Sequence, residues 1–122
     1  MNNYERKIPE DLDCGLTVFF KVFGAKWKSC IIAAINEGHQ RPSEIHRRLK
    51  EATPRVIDMQ LRELEEFGIV SKNISNGFPL RAEYFLTEKG KSVLPLIATM
   101  ESWGDANAED VKNISLNKQS VV

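Results

Sequence analysis

Apolar positions recur along the chain in blocks whose spacing switches from helical to alternating and back. Leu16, Phe19, Phe20 and Phe23 recur at helical spacing, which predicts a short first helix ended by Gly24. Trp27, Cys30, Ile31, Ala34 and Ile35 share one face of a second helix over residues 26–37, with Gly38 as its stop. Arg41–Pro42 forms a connection, at most a one-bridge strand, and Ser43 is placed to cap a third helix that turns Ile45 and Leu49 inward. Thr53–Pro54 is the sharpest local signal. Thr caps helices, and Pro at the first helical position sacrifices no hydrogen bond. A fourth helix over 54–67 follows, with Ile57, Leu61 and Leu64 as its apolar stripe and Gly68 as its end.

The period then changes. Residues 69–74 read as a strand, and residues 75–79 as a loop in which Asn76–Gly77 is a turn signal. Leu80, Ala82, Tyr84 and Leu86 alternate with Arg81, Glu83 and Phe85, which predicts a second strand and so a hairpin. Thr87 caps a last helix carrying Val93, Leu96, Ile97, Met100 and Trp103. Pro95 inside it predicts a kink or irregular first turns. Residues 1–13 read as a flexible arm and 14–106 as one folded domain. From Asn107 the periodicity is lost, which predicts a disordered tail over 107–122.

Two helices joined by a tight turn and followed directly by a hairpin make a winged helix-turn-helix. The expected class is therefore α+β and mostly helical, with extra helices before and after the winged unit. The length of 122 residues suits a single core. No apolar run approaches the roughly 20 residues that span a bilayer. Residues 1–13 are polar and carry no secretory h-region, so a cytoplasmic location is expected. The two cysteines and two histidines lack zinc-site spacing, so no metal is expected. No nucleophile–base pair or glycine-rich phosphate loop is present, so neither catalysis nor a cofactor is expected.

The formal net charge is zero, which by itself speaks against nucleic acid. Its distribution does not. Between residues 41 and 62, six basic residues face three acidic ones, an excess of three positive charges. The fourth helix has the right size for a major groove, its N-terminal residues near base edges and the third helix bracing the backbone. The candidate DNA contacts are Lys26, Ser43, Arg47, Thr53, Arg55, Asp58, Met59 and Arg62. The hairpin adds Lys72, Asn76 and Arg81, which suit an adjacent backbone or minor groove. The competing reading is a winged-helix module that binds protein and not DNA. Zero net charge and the acidic cluster Glu63, Glu65 and Glu66 favour it; the basic outward face of residues 46–55 favours DNA.

Five segments in order carry a resemblance. Gly24-Ala25-Lys26-Trp27 resembles the Gly-Lys-Trp signature of the HxlR-type winged-helix regulators, and Arg41-Pro42-Ser43-Glu44-Ile45 resembles their Arg-Phe-Ser-Glu-Leu segment. Residues 61–70, from Leu61 to Val70, are similar to their Leu-x-x-Leu-Glu-x-x-Gly-Leu-Val pattern. Residues 81–90, from Arg81 to Gly90, are similar to Val-x-Tyr-x-Leu-Thr-x-x-Gly, and Trp103-Gly104 matches the closing Trp-Gly. Pro42 departs from the family's aromatic residue and Pro54 from its usual polar residue, and both bear on base preference.

The resemblance implies a transcription factor that dimerises through its terminal helices, here with Leu16, Phe19, Phe20, Leu96, Met100 and Trp103. Such a dimer reads double-stranded DNA as an inverted repeat. The resemblance names no small-molecule effector. It also singles out Cys14, because some members sense oxidants or electrophiles through a cysteine of a Cys-Pro pair; here the pair is Cys14-Gly15. A thiol just before a helix has backbone N–H groups to lower its pKa. The alternative is an ordinary small residue at a dimer edge. Cys30 is expected to be inert core, and Trp27 and Trp103 to be packing anchors.

Overall fold

The computed structural model describes residues 11–120. In chain order it contains α1 (Gly15–Phe23), α2 (Lys28–Asn36), α3 (Pro42–Arg48), α4 (Pro54–Glu66), β1 (Val70–Ile74), β2 (Ala82–Leu86), α5 (Glu88–Ser92) and α6 (Leu94–Ser120). The two strands pair antiparallel, with Val70 opposite Leu86 and Ile74 opposite Ala82. The Tyr84 N–H donates to Gln40 O at 2.8 Å, which ties the link before α3 to β2. This is the winged helix-turn-helix that the element order predicts.

The core gathers Ile31, Ile32 and Ile35 from α2, Ile45 from α3, and Ile57, Leu61 and Leu64 from α4, closed by Ile69, Val70, Tyr84 and Val93. Helix α4 is held at both ends. The Thr53 Oγ1 accepts from the Val56 N–H at 3.2 Å, and Pro54 stands at the first helical position. At the far end Gly68 takes φ +75°, and the N–H groups of Ile69 and Gly68 return to the carbonyls of Leu64 and Glu65. Thr87 then fastens the hairpin to α5. Its hydroxyl donates to Gly68 O at 2.6 Å and accepts from the Gly90 N–H at 3.1 Å. Gly90 lies so close to the Ile69 carbonyl that a Cβ there would collide with it.

Several expectations are corrected. Helix α3 begins at Pro42, with Arg41 at the cap position, so Ser43 lies inside the helix. Glu44 does the capping work instead: its Oε1 accepts from the N–H groups of Gln40 at 3.1 Å and Arg41 at 3.0 Å. The Arg41 N–H, more than the nearby charges, holds the Glu44 carboxyl below the usual carboxylate range. The last helix is two helices. It breaks at Val93, because Pro95 has no N–H to return to the preceding turn.

The tail from Asn107 is helical to Ser120 and crosses the expected boundary at 106. Asn107 interrupts the apolar stripe but not the helix, its Nδ2 donating to Trp103 O at 2.9 Å. Val111 and Ile114 resume the stripe beyond it, and no Gly or Pro follows Gly104. Of the expected N-terminal arm, residues 1–10 lie outside the described residues. Cys30 is exposed. The buried face of α2 runs through Lys28, Ile31, Ile32 and Ile35, which leaves Cys30 to one side of it.

Candidate nucleic-acid interface

Helix α4 buries Ile57, Gln60, Leu61 and Leu64 and turns Arg55, Asp58, Met59 and Arg62 to solvent. These four are spaced by three, one and three residues, so they form one outer stripe. Arg55 makes no hydrogen bond or ion pair among the described residues, which leaves its five donors available. Asp58 does not stand free: its Oδ1 lies 3.1 Å from Nε2 of His46 on α3. Along α3, Arg47 points to solvent, whereas Arg48 Nε donates to Glu37 Oε1 at 3.2 Å and is drawn back towards α2. Thr53, exposed at the N-terminus of α4, uses its oxygen as the helix cap.

The root of the hairpin meets α3. Arg41, Pro42, Ser43, Leu80, Arg81 and Ala82 line a cleft of about 360 Å³ there. Ser43 and Arg81, separate in sequence, are thus brought together. Arg41 Nε faces Glu83 Oε2 at 3.9 Å across the same junction. Ser75 and Arg81 close the hairpin loop: the Ser75 N–H donates to Arg81 O, and the Arg81 N–H donates to Ser75 Oγ. Lys72 and Asn76 are exposed along it. Beneath, Tyr84 is buried. That burial, and then the carboxylates of Glu65 and Asp58, push its phenol above the usual tyrosine value.

Lys26 is exposed just before α2. Its Nζ sits 4.9 Å over the ring of Trp27. Two residues on, Lys28 Nζ lies 3.7 Å from Glu63 Oε1, about 12 Å along α4 from Arg55 at 1.5 Å per residue. Lys28 is buried, a site that sequence reasoning missed because a lysine inside an apolar stripe was not counted with it. Gln60 is a second omission. It falls between Ile57 and Leu64 on the inner face, and its Oε1 has no hydrogen-bond partner among the described residues. Its spacing within the stripe was the signal that marked it as buried.

The terminal helices present a second surface. Leu16, Phe20, Leu96, Met100 and Trp103 are exposed, as are Val111, Ile114 and Leu116 further along α6. Phe19 is half-buried: it packs on Phe23 at 4.9 Å between ring centroids and against the core. Cys14 occupies the cap position of α1. The N–H groups of Thr17 and Leu16 and the Thr17 hydroxyl point towards its sulfur and hold the thiol below its ordinary pKa, the Thr17 N–H contributing most. None approaches closely enough to close a helix cap. No helix among the described residues is long and apolar enough to cross a membrane.

Comparison with known proteins adds relatives. The profile described as HxlR-like helix-turn-helix matches residues 22–112. An uncharacterised HTH-type transcriptional regulator of Methanothermobacter thermautotrophicus is 41% identical over 91 residues, 75% of this chain and 70% of its own. The uncharacterised HTH-type transcriptional regulator YybR of Bacillus subtilis is 31% identical over 117 residues, 96% of this chain and 94% of its own. Among solved structures, the redox regulator HypR in its reduced form superimposes with a TM-score of 0.76 at 32% identity. That match covers 82% of this chain and 99% of HypR.

Proposed function

Because this chain belongs to the HxlR-like helix-turn-helix family, we propose that it is a DNA-binding transcriptional regulator acting as a homodimer on an inverted repeat. The observation that carries the reading is the outer stripe of α4, where Arg55, without an ion-pair or hydrogen-bond partner among the described residues, stands at the N-terminal end of a helix capped and braced for a major groove. Arg47, exposed on α3, and Ser43 and Arg81, which share the cleft at the hairpin root, take phosphates in this reading. The exposed apolar residues of α1 and α6 pair two such units, so that two copies of α4 meet successive grooves of DNA in the cytoplasm.

Cys14 is the sensing residue in this reading. Its lowered pKa raises the thiolate fraction, and the thiolate is the species that attacks an oxidant or electrophile. Likeness to HypR, a redox regulator, supports the assignment. Movement of α1 against α6 then changes the separation of the two α4 helices and puts one half-site out of register.

The test is binding to duplexes selected from sheared genomic DNA, measured at several salt concentrations with the protein as it is and with Arg55→Ala. We expect an inverted repeat whose affinity falls steeply with salt, and an Arg55→Ala protein that binds about tenfold or more weakly while remaining a dimer. Loss of the dimer in Arg55→Ala removes Arg55 from the DNA face. Absence of any salt-dependent DNA binding returns the chain to the protein-interaction reading. For Cys14, release of DNA under mild oxidant that persists in Cys14→Ser ends its role as sensor.

A further inference from the structure

The hairpin ends in an apolar tip. Phe78 is 99% exposed, Leu80 68% and Ile74 53%, with Pro79 exposed between the first two. Single apolar residues at a surface need no explanation, but four gathered at the end of one projection do. Val70 is buried and every residue from 71 to 81 is exposed, so β1 alone carries the chain about 13 Å beyond the core. Among the described residues the tip packs on nothing that would account for a phenylalanine there.

Charge and position identify the occupant. From Ser71 to Arg81 the hairpin carries Lys72 and Arg81 and no Asp or Glu, in a chain whose net charge is zero, and Glu83, opposite Asn73 on β2, faces Arg41 at 3.9 Å. The tip is therefore an apolar group with two cations behind it on the same hairpin. A protein surface has no general need of that pairing, whereas the edge of a duplex does: phosphates along both rims and an apolar stack of bases between them. The hairpin also continues the proposed interface. Its root shares a cleft with Ser43 at the start of α3, and Tyr84 on β2 feels the charges of Asp58, Arg62 and Glu65 on α4.

We infer that Phe78, with Pro79 and Leu80 behind it, is a wedge that enters the minor groove beside each half-site and partly unstacks one base step. This rests on the DNA-binding reading above and goes beyond it. The direct contacts of α4 read the half-site, and the tip reads how easily the flanking duplex opens. Pyrimidine–purine steps yield most readily, so they are favoured at the wedge position, with no hydrogen bond to any base there. Lys72 and Arg81 hold the two phosphate rims while the ring enters between them.

The experiment uses the full chain and the inverted repeat it selects, with 2-aminopurine placed at successive positions in the flank outside each half-site. On binding, we expect fluorescence to rise at one step in each flank. Phe78→Ala is expected to abolish that rise and weaken binding about tenfold, while Phe78→Trp retains both. Because Phe78 touches no core residue, the alanine variant keeps its fold. If Phe78→Ala binds as tightly as the parent, or the flank signal is the same with it, the wedge is overturned and the tip belongs to a protein partner. If the parent chain binds no duplex, the DNA-binding reading itself fails, a result distinct from a bound duplex without a flank signal.

Discussion

His46 on α3 and Asp58 on α4 meet with Nε2 and Oδ1 3.1 Å apart, joining the two helices of the helix-turn-helix on their outward side. Asp58 lies three residues after Arg55 and four before Arg62, so its carboxylate sits among the cations of the proposed DNA face. A carboxylate directed at phosphates would oppose binding; the imidazole draws it towards α3 and leaves the arginines forward. Because the pair is solvent-exposed, its removal changes stability by less than about 1 kcal/mol. Asp58→Ala is therefore expected to unfold in urea close to the parent. Its binding to random-sequence duplex at low salt should rise several-fold, and its preference for the selected site should fall. A drop in non-specific affinity would mean that Asp58 acts by holding α4 in place.

Lys28 is a buried cation whose ammonium has one carboxylate partner among the described residues, Glu63 at 3.7 Å, and the ring of Phe67 5.8 Å away. Removing only the carboxylate leaves the charge without its partner, whereas replacing the lysine with an apolar chain of similar length removes the charge and keeps the packing. Since Glu63 is partly exposed, water softens the loss. Glu63→Ala is expected to destabilise the fold by about 2 kcal/mol, and Lys28→Met by less than about 1 kcal/mol. In the double variant the cost of Glu63→Ala should largely disappear. Urea unfolding of the four proteins closes the cycle, and additive losses would show that Lys28 and Glu63 are not coupled.

The helical segments and the hairpin were legible because local chemistry and burial agree there. Thr53–Pro54, Gly68 and Thr87 each mark a boundary that the backbone uses. The misreadings share a cause: a single residue at odds with its surroundings. Lys28 and Gln60 are polar residues on buried faces, and Asn107 is a polar residue in an otherwise apolar stripe. Cys30 is the converse, an apolar type beside a stripe that does not need it. For the interface, helical spacing placed Arg55, Met59 and Arg62 on the outer stripe. The His46–Asp58 and Ser43–Arg81 juxtapositions depend on how separate elements pack, which spacing within one element does not encode.

The surroundings of Cys14 set a pH dependence. Its thiol is held below its ordinary value, chiefly by the Thr17 N–H and then by the Thr17 hydroxyl. The folded state thus favours the thiolate. That contribution to stability is fully present above the unfolded thiol value of about 8.5, and fades as pH falls through the lower folded value. Between those two values, Cys14 in the folded chain should alkylate with iodoacetamide faster than the same residue in urea. Thr17→Val removes the hydroxyl and keeps the N–H, so it should slow the folded reaction only partly. Equal rates for folded and unfolded chain would show that the helix start does not activate this sulfur.

Helix α6 continues for about seven and a half turns, and its exposed apolar residues run the length of it: Leu96, Met100 and Trp103 in the first half, Val111 and Ile114 in the second. An isolated helix gains little from its own hydrogen bonds in water, so a long unpacked one needs a partner for its apolar side. Within the homodimer reading, the second half of α6 lies in the interface along with Trp103. Burying Val111 and Ile114 contributes about 1.5–3 kcal/mol per side chain where burial is complete. Placing a charge there opposes association. Ile114→Asp is therefore expected to weaken the dimer at least tenfold in sedimentation equilibrium while leaving monomer stability to urea unchanged, because Ile114 touches none of the core. DNA affinity at sub-micromolar protein should fall with the dimer and recover at higher concentration. A variant that remains as dimeric as the parent would confine the interface to the first half of α6 and leave residues 107–120 outside it.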